Sequence, residues 1–208
     1  LLAVSGNRLP DGGAGVSDGQ LDLGEVVVPL ARVPIADPAY LVDLVSAGVA
    51  ALAHGAKPDS VERTITTFLP GPHRRTLVGR WDEVDWVDDS KATNPHAAIA
   101  SASAYPSVIL IAGGRNKGLD LSGLMDVSSL KQVIALGEAA GDLEKAAGGV
   151  GFERARSMGQ AVELADQFAA PGDTVLLAPG CASFDMFRSY ADRGDSFTEA
   201  VHRLKEAR

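Results

Sequence analysis

The sequence predicts an α/β fold whose C-terminal part is a Rossmann-like domain built on a mostly parallel sheet. Short, nearly continuous apolar runs recur at residues 84–87, 108–112, 133–136 and 174–177, stretches with helical spacing separate them, and polar loops follow the runs. Strands that are apolar throughout belong to sheets covered on both faces, and strand-helix alternation feeds parallel pairing.

The elements follow in order. Residues 1–19 are rich in Gly, Asp and Ser and offer no recognisable element; the chain begins at Leu1 rather than Met and reads as a piece of something longer. Leu21, Leu23 and Val26 to Val28 suggest a short hairpin or two strands around Gly24. Leu41, Leu44, Val45, Val49 and Leu52 recur at helical spacing, with His54 and Gly55 as a stop. A second helix starts at Pro58 and Asp59 and places Val61, Ile65 and Phe68 on one face. Pro70, Gly71 and Pro72 break regular structure and mark a domain boundary.

Beyond that break, residues 76–78 and 84–87 read as paired strands, and the three later apolar runs as buried strands. Helices are expected over residues 95–104, 121–130, 139–147 and 160–168. A closing helix or helix pair spans residues 183–205, with a break near Gly194.

The composition, 46% hydrophobic and 22% charged, is that of a folded chain rather than a disordered tail. Lys plus Arg number 19 against 27 Asp plus Glu, a formal charge of −8, which disfavours nucleic-acid binding by phosphate neutralisation. A single cysteine, Cys181, excludes an intrachain disulfide framework, and His54, His96 and His202 have no partners at metal-ligand spacing. No metal site is expected. No apolar run approaches the roughly 18 residues of a spanning helix, so no membrane role is expected and a cytoplasmic location is the simplest reading.

Open α/β sheets bind ligands beyond the carboxyl ends of their strands. Asp89, Lys91 and Thr93 follow the strand that ends near Val87, Gly113 to Lys117 follow the next, and Pro179 to Ser183 follow the last. These loops point to one polar rim. Each also has a bland reading: Asp89, Ser90, Thr93 and Asn94 as caps beside a solvated Lys91, GGRNKG as a glycine-rich turn, and Ser183 as an N-cap with Phe184 and Phe187 as core anchors. A dinucleotide fingerprint needs glycines at its first, third and sixth positions; Gly113, Gly114 and Gly118 occupy the first, second and sixth.

The wording DDSKATNPHAA, with GPHR before it and IAGGRNKG and LLAPGCASFDMFRSYADRGDSF after it, resembles the Mur ligase family, and within it the members that add D-glutamate. The resemblance implies ATP-dependent amide formation in peptidoglycan precursor synthesis, and hence in cell-wall biogenesis. An acyl phosphate of UDP-N-acetylmuramoyl-L-alanine would be attacked by the amine of D-glutamate, forming the amide as phosphate leaves. It further implies that Arg74, Asp89 and Lys91 meet ATP, with Arg74 and Lys91 neutralising the transferring phosphoryl group. Thr93, Lys117, Ser183, Phe184 and Tyr190 would hold D-glutamate. Magnesium is implied for the complete enzyme.

By this resemblance, residues 1–69 are the C-terminal portion of the central ATP-binding domain, residues 70–75 a hinge, and residues 76–208 the C-terminal, D-glutamate-binding domain. The G-x-x-x-x-G-K-[ST] phosphate loop that such ligases need occurs nowhere in the 208 residues. The expectation is therefore a fragment without activity of its own. Where many relatives carry a His-Asn pair and a further Asn near the adenine, this chain has Ala39, Tyr40 and Asp43. Two rivals stand beside this reading: a dinucleotide-binding domain of an oxidoreductase, and a Mur-like binding module without chemistry.

Overall fold

Two hydrophobic segments separated by a proline-glycine break fold here as two compact units, Leu1–Pro70 and Gly71–Arg208. The structure, a computed structural model, describes residues 2–207, with the side chain of Ala39 left out.

In the first unit, β1 (Gly15–Ser17), β2 (Gln20–Asp22) and β3 (Val27–Pro29) form an antiparallel sheet in that order. β1 lies where no element was expected. Its signal is Asp18-Gly19, both at positive φ (49° and 72°), the conformation that a tight two-residue hairpin turn requires. α1 (Pro38–Ala53) starts with a proline in its first turn and the Asp37 carboxylate accepting the Tyr40 N–H; α2 (Pro58–Thr67) follows. Leu21, Val28, Leu41, Val45, Val61 and Ile65 form the core. Phe68, expected on the apolar face of α2, instead follows its last turn and is half exposed.

In the second unit, β4 (Thr76–Trp81) and β5 (Val84–Asp88) make a hairpin, followed by α3 (Pro95–Ala102), β6 (Val108–Gly113), β7 (Leu130–Leu136) and α4 (Ala140–Ala146). Then come β8 (Gly151–Ala155), α5 (Met158–Phe168), β9 (Thr174–Gly180) and α6 (Tyr190–Glu206). The six-stranded sheet runs β4-β5-β9-β6-β7-β8, with only β4 antiparallel to its neighbour. Alternate strand residues serve opposite faces: Val87, Leu110, Ala112 and Leu176 meet Ala98, Leu124 and Leu143 on one, while Trp86, Ile109, Ile111 and Val175 meet Val162 and Phe197 on the other. The α/β class and mostly parallel sheet are thus as expected.

Three elements of the second unit depart from expectation. Residues 121–130 form only a 3-10 turn at Ser122–Leu124, since Gly123, Asp126 and the Ser128-Ser129 pair give the helix little support; Leu121, Leu124 and Val127 are nonetheless buried. The edge strand β8 was not foreseen, because its residues are mostly exposed and lack a buried alternation. Finally, the closing helix begins at Tyr190, with the Ser189 hydroxyl accepting the Asp192 N–H, and runs unbroken through Gly194. A Cβ on Gly194 would lie 2.2 Å from His73 Nδ1 and 2.6 Å from Asp88 Oδ2, so this glycine permits a close approach rather than a break.

Candidate active site

Because β9 lies between β5 and β6, the loops leaving all three strands are neighbours at one edge of the sheet. The first of them is an extension of the strand itself. The Asp89 N–H donates to Leu177 O at 2.8 Å and the Gly180 N–H to Ala92 O at 2.9 Å, so the loop stays tied to β9. Asn94 then caps α3 by accepting the Ala97 N–H at 2.9 Å. Lys91 is exposed at the top of this loop, with its ammonium 5.5 Å from the centre of the Tyr190 ring.

Segment 73–75 is fastened to the same loop. His73 and Arg75 are held at positive φ (61° and 50°), which costs a non-glycine residue roughly 1–2 kcal/mol. The compensation is local. His73 O accepts the Lys91 N–H at 3.0 Å, and His73 Nδ1 pairs with the buried Asp88 carboxylate at 2.7 Å, whose other oxygen accepts the Ser90 N–H. Arg74, between them, is exposed beside the loop that carries Asp89 and Lys91.

Asp89 is itself buried. Burial raises its pKa above the ordinary range, and the Ser101 hydroxyl, the Arg75 charge and the Arg75 backbone only partly offset this. A carboxyl whose folded pKa exceeds its unfolded value is most favourable when protonated, and that contribution is lost as pH rises through the folded value. At pH 7 the ionised group therefore costs stability. Asp89→Asn, which keeps a carbonyl oxygen at this position, is expected to raise Tm at pH 7. The gain should vanish on acidification below about pH 4. Thermal unfolding as a function of pH checks this; an unchanged or lower Tm at neutral pH would refute it.

The loop after β6 meets the loop after β9 through backbone. The Arg115 N–H donates to Ala182 O at 2.8 Å and the Ala182 N–H returns a bond to Arg115 O at 3.2 Å. Lys117 lies two residues beyond one side of this bridge and Ser183 directly follows the other. Asn116 shapes the turn by accepting the Leu119 N–H and donating to Leu119 O and Asp142. Lys117 is exposed, whereas Ser183 is only 2% exposed. Ser183 does not start a helix as expected: residues 183–187 form one isolated turn, in which Ser183 O accepts from Met186 and Phe187. Ser183 therefore lies at no helix N-terminus. Phe184 is 64% exposed rather than a core anchor, and Tyr190 is 37% exposed.

The residue that joins all three loops was not singled out in the sequence. Arg193, 2% exposed, donates from Nε to Ser90 Oγ and from Nη2 to Ser90 O, both at 3.0 Å, and from Nη1 to Gly113 O at 3.3 Å and Cys181 O at 3.2 Å. Burial lowers its pKa to about 10, offset in part by the charges of Asp185 and Asp88, so it stays protonated at neutral pH. The only sequence hint was its place in YADRGDSF beside Gly194. Ser90, expected only as a local cap, donates its hydroxyl to Tyr190 O at 2.7 Å and so seats the start of α6 on the first loop.

The profile of the family described as "Mur ligase, glutamate ligase domain" matches residues 73–181, more than half of the chain. The chain belongs to the Mur ligase family. It is 44% identical over 184 residues to a UDP-N-acetylmuramoylalanine–D-glutamate ligase of Frankia casuarinae, covering 86% of this chain and 39% of that protein. A protein of the same name from Thermobifida fusca is 41% identical over 186 residues, with 84% and 40% covered. The chain thus spans about two-fifths of the length of these curated relatives. A crystal structure of MurF from Acinetobacter baumannii superposes with TM-score 0.65 at 16% identity, covering 94% of this chain and 46% of that one, a likeness in fold.

In this Mur ligase domain Gly113 and Gly114 face protein: a Cβ would lie 1.9 Å from Leu136 O on the first and 2.2 Å from Ala182 O on the second. Neither is left to admit a pyrophosphate, which removes the structural support for the dinucleotide-binding reading.

Proposed function

We propose that this chain is the amino-acid-accepting part of an ATP-dependent ligase that joins D-glutamate to UDP-N-acetylmuramoyl-L-alanine during peptidoglycan precursor synthesis in the cytoplasm. The observation that carries the reading is the two-way backbone bridge between Arg115 and Ala182, since it brings the lysine-bearing and serine-bearing loops together at the edge where Lys91 and Thr93 also lie. The names of the relatives supply the substrate. Residues 1–69 are then the end of the central ATP-binding domain, residues 70–75 a hinge, and residues 76–208 the D-glutamate-binding domain.

The residues suit the nucleotide: Arg74 and Lys91 are exposed cations on adjoining segments, and guanidinium and ammonium groups neutralise phosphate oxygens. The nucleotide supplies the phosphoryl group that activates the L-alanine carboxylate. Arg74 and Lys91 offset its charge, with Asp89 behind them. Thr93, Lys117, Ser183, the Phe184 backbone and Tyr190 orient D-glutamate so that its amine meets the acyl carbon, a task of positioning more than covalent chemistry. Among the described residues no group of three or more His, Cys, Asp or Glu is placed to hold a metal. Among the same residues no helix is long and apolar enough to cross a membrane.

One charge-assisted hydrogen bond is worth roughly 1.5–3 kcal/mol. Lys117→Ala in the complete ligase is accordingly expected to raise the KM for D-glutamate about 10- to 100-fold, read from saturation kinetics. Unchanged saturation would remove the assignment. The 208-residue chain alone is expected to show no ATP-dependent ligation, and measurable product would overturn its reading as a fragment.

A further inference from the structure

The loop after β7 carries none of the proposed ligands, yet it is fastened to two loops that do. Gly137 has φ +76°, and a Cβ there would lie 2.1 Å from Asp185 Oδ2 and 3.2 Å from Gly114 Cα. The next N–H, that of Glu138, donates to the same Asp185 oxygen at 2.9 Å. The Glu138 carboxylate accepts both arms of Arg115 at 3.0 and 2.9 Å, and the Ala139 N–H donates to Gly114 O at 2.8 Å. Arg115 in turn is bridged to Ala182, three residues before Asp185. These bonds close a ring through the ends of β6, β7 and β9.

Asp185 links the Ser183 turn to the β7 loop in that ring through its side chain. Its Oδ1 is buried with no hydrogen-bond partner, an arrangement that is costly for a carboxylate unless something compensates it. The compensation is electrostatic: its charge acts on both Arg115 and Arg193. A solvated ion pair such as Arg115–Glu138 contributes little alone, so the half-buried Asp185 carboxylate, which takes the Glu138 N–H on one oxygen and has the other enclosed, is the stronger link.

We infer that Asp185 is a positioning residue, whose carboxylate fixes the Ser183 turn to the β7 loop and so sets the spacing between the Ser183 and Lys117 sides of the amino-acid subsite. The ligand named for that subsite rests on the reading above; the ring does not. Recognition of a small dicarboxylate by two loops requires each to be held within about 0.5 Å of its working position. The ring excludes the loop after β5, so opening it should disturb the amino acid and spare the nucleotide.

Amide exchange in the 208-residue chain tests the ring directly. Asp185→Ala is expected to lower protection of the Glu138, Arg115 and Ala182 amides at least about tenfold while leaving Ile111 and Ile134 in the strand interiors unchanged. Asp185→Asn, which keeps an oxygen for the Glu138 N–H, should recover most of it. Unchanged protection, a loss spread equally into the strands, or failure of the asparagine to recover it overturns the inference. In the complete ligase, Asp185→Ala should raise the KM for D-glutamate about tenfold with the KM for ATP within about twofold. Equal changes in both would overturn the positioning role. Lys117→Ala measured alongside separates the two readings: if it leaves D-glutamate saturation untouched, the ligand assignment fails while exchange still decides the ring.

Discussion

Replacing Arg193 by methionine is expected to destabilise the second unit by about 3–5 kcal/mol and to disorder the polar rim. The side chain is fully enclosed, and its guanidinium serves Ser90 O, Ser90 Oγ, Gly113 O and Cys181 O at once. Methionine fills similar volume but leaves those acceptors without a donor in a place water does not reach, and each such orphan costs roughly 1–3 kcal/mol. The sum is reduced because the loops can relax. For a unit of this size the expected loss corresponds to a fall in Tm of about 10–15 °C. Lysine should rescue poorly, since one ammonium cannot span acceptors on three separate loops as a planar fork does. Thermal and urea unfolding of the chain check this, and a variant within about 1 kcal/mol of the parent would refute it.

Gly113→Ala should have an equal or larger effect, for a different reason. At φ +125° an L side chain is strained, and its Cβ would lie 1.9 Å from Leu136 O, 2.9 Å from Leu136 C and 3.0 Å from Leu136 N. All three are backbone atoms of β7, so nothing can swing aside. Relief requires parting β6 from β7, where Gly113 is paired with Leu136. A cost above about 4 kcal/mol is expected, seen as loss of soluble, cooperatively unfolding protein. Gly118→Ala is the control. It shares a positive φ, +76°, but its Cβ would meet nothing within 4 Å, so only the roughly 1–2 kcal/mol conformational cost applies. Similar behaviour of the two variants would show that the β7 contact is not what matters.

Much of this architecture was legible because local chemistry decides it. The apolar run before Asp88 could only be a buried strand, and Asn94-Pro95 supplies both the cap and the first turn of α3. The errors are equally physical. Leu121, Leu124, Met125 and Val127 mimic helical spacing although their segment merely lays apolar residues onto the core, so burial was legible and conformation was not. Gly194 looked like a break; its lack of a side chain serves the His73–Asp88 pair, a contact from far away in the chain. Ser183 looked like a cap, but the helix waits for Ser189, which has the same chemistry a few residues later.

The buried strands and the polar residues that follow them were written in the sequence, because side-chain periodicity and turn chemistry act over a few residues. What ties those loops into one rim was decided only by the tertiary structure. Arg193 reaches Ser90 across 103 residues and Gly113 across 80, and Asp185 reaches Glu138 across 47. No local pattern encodes such a bond, since its donor and acceptor meet only after β9 has inserted between β5 and β6.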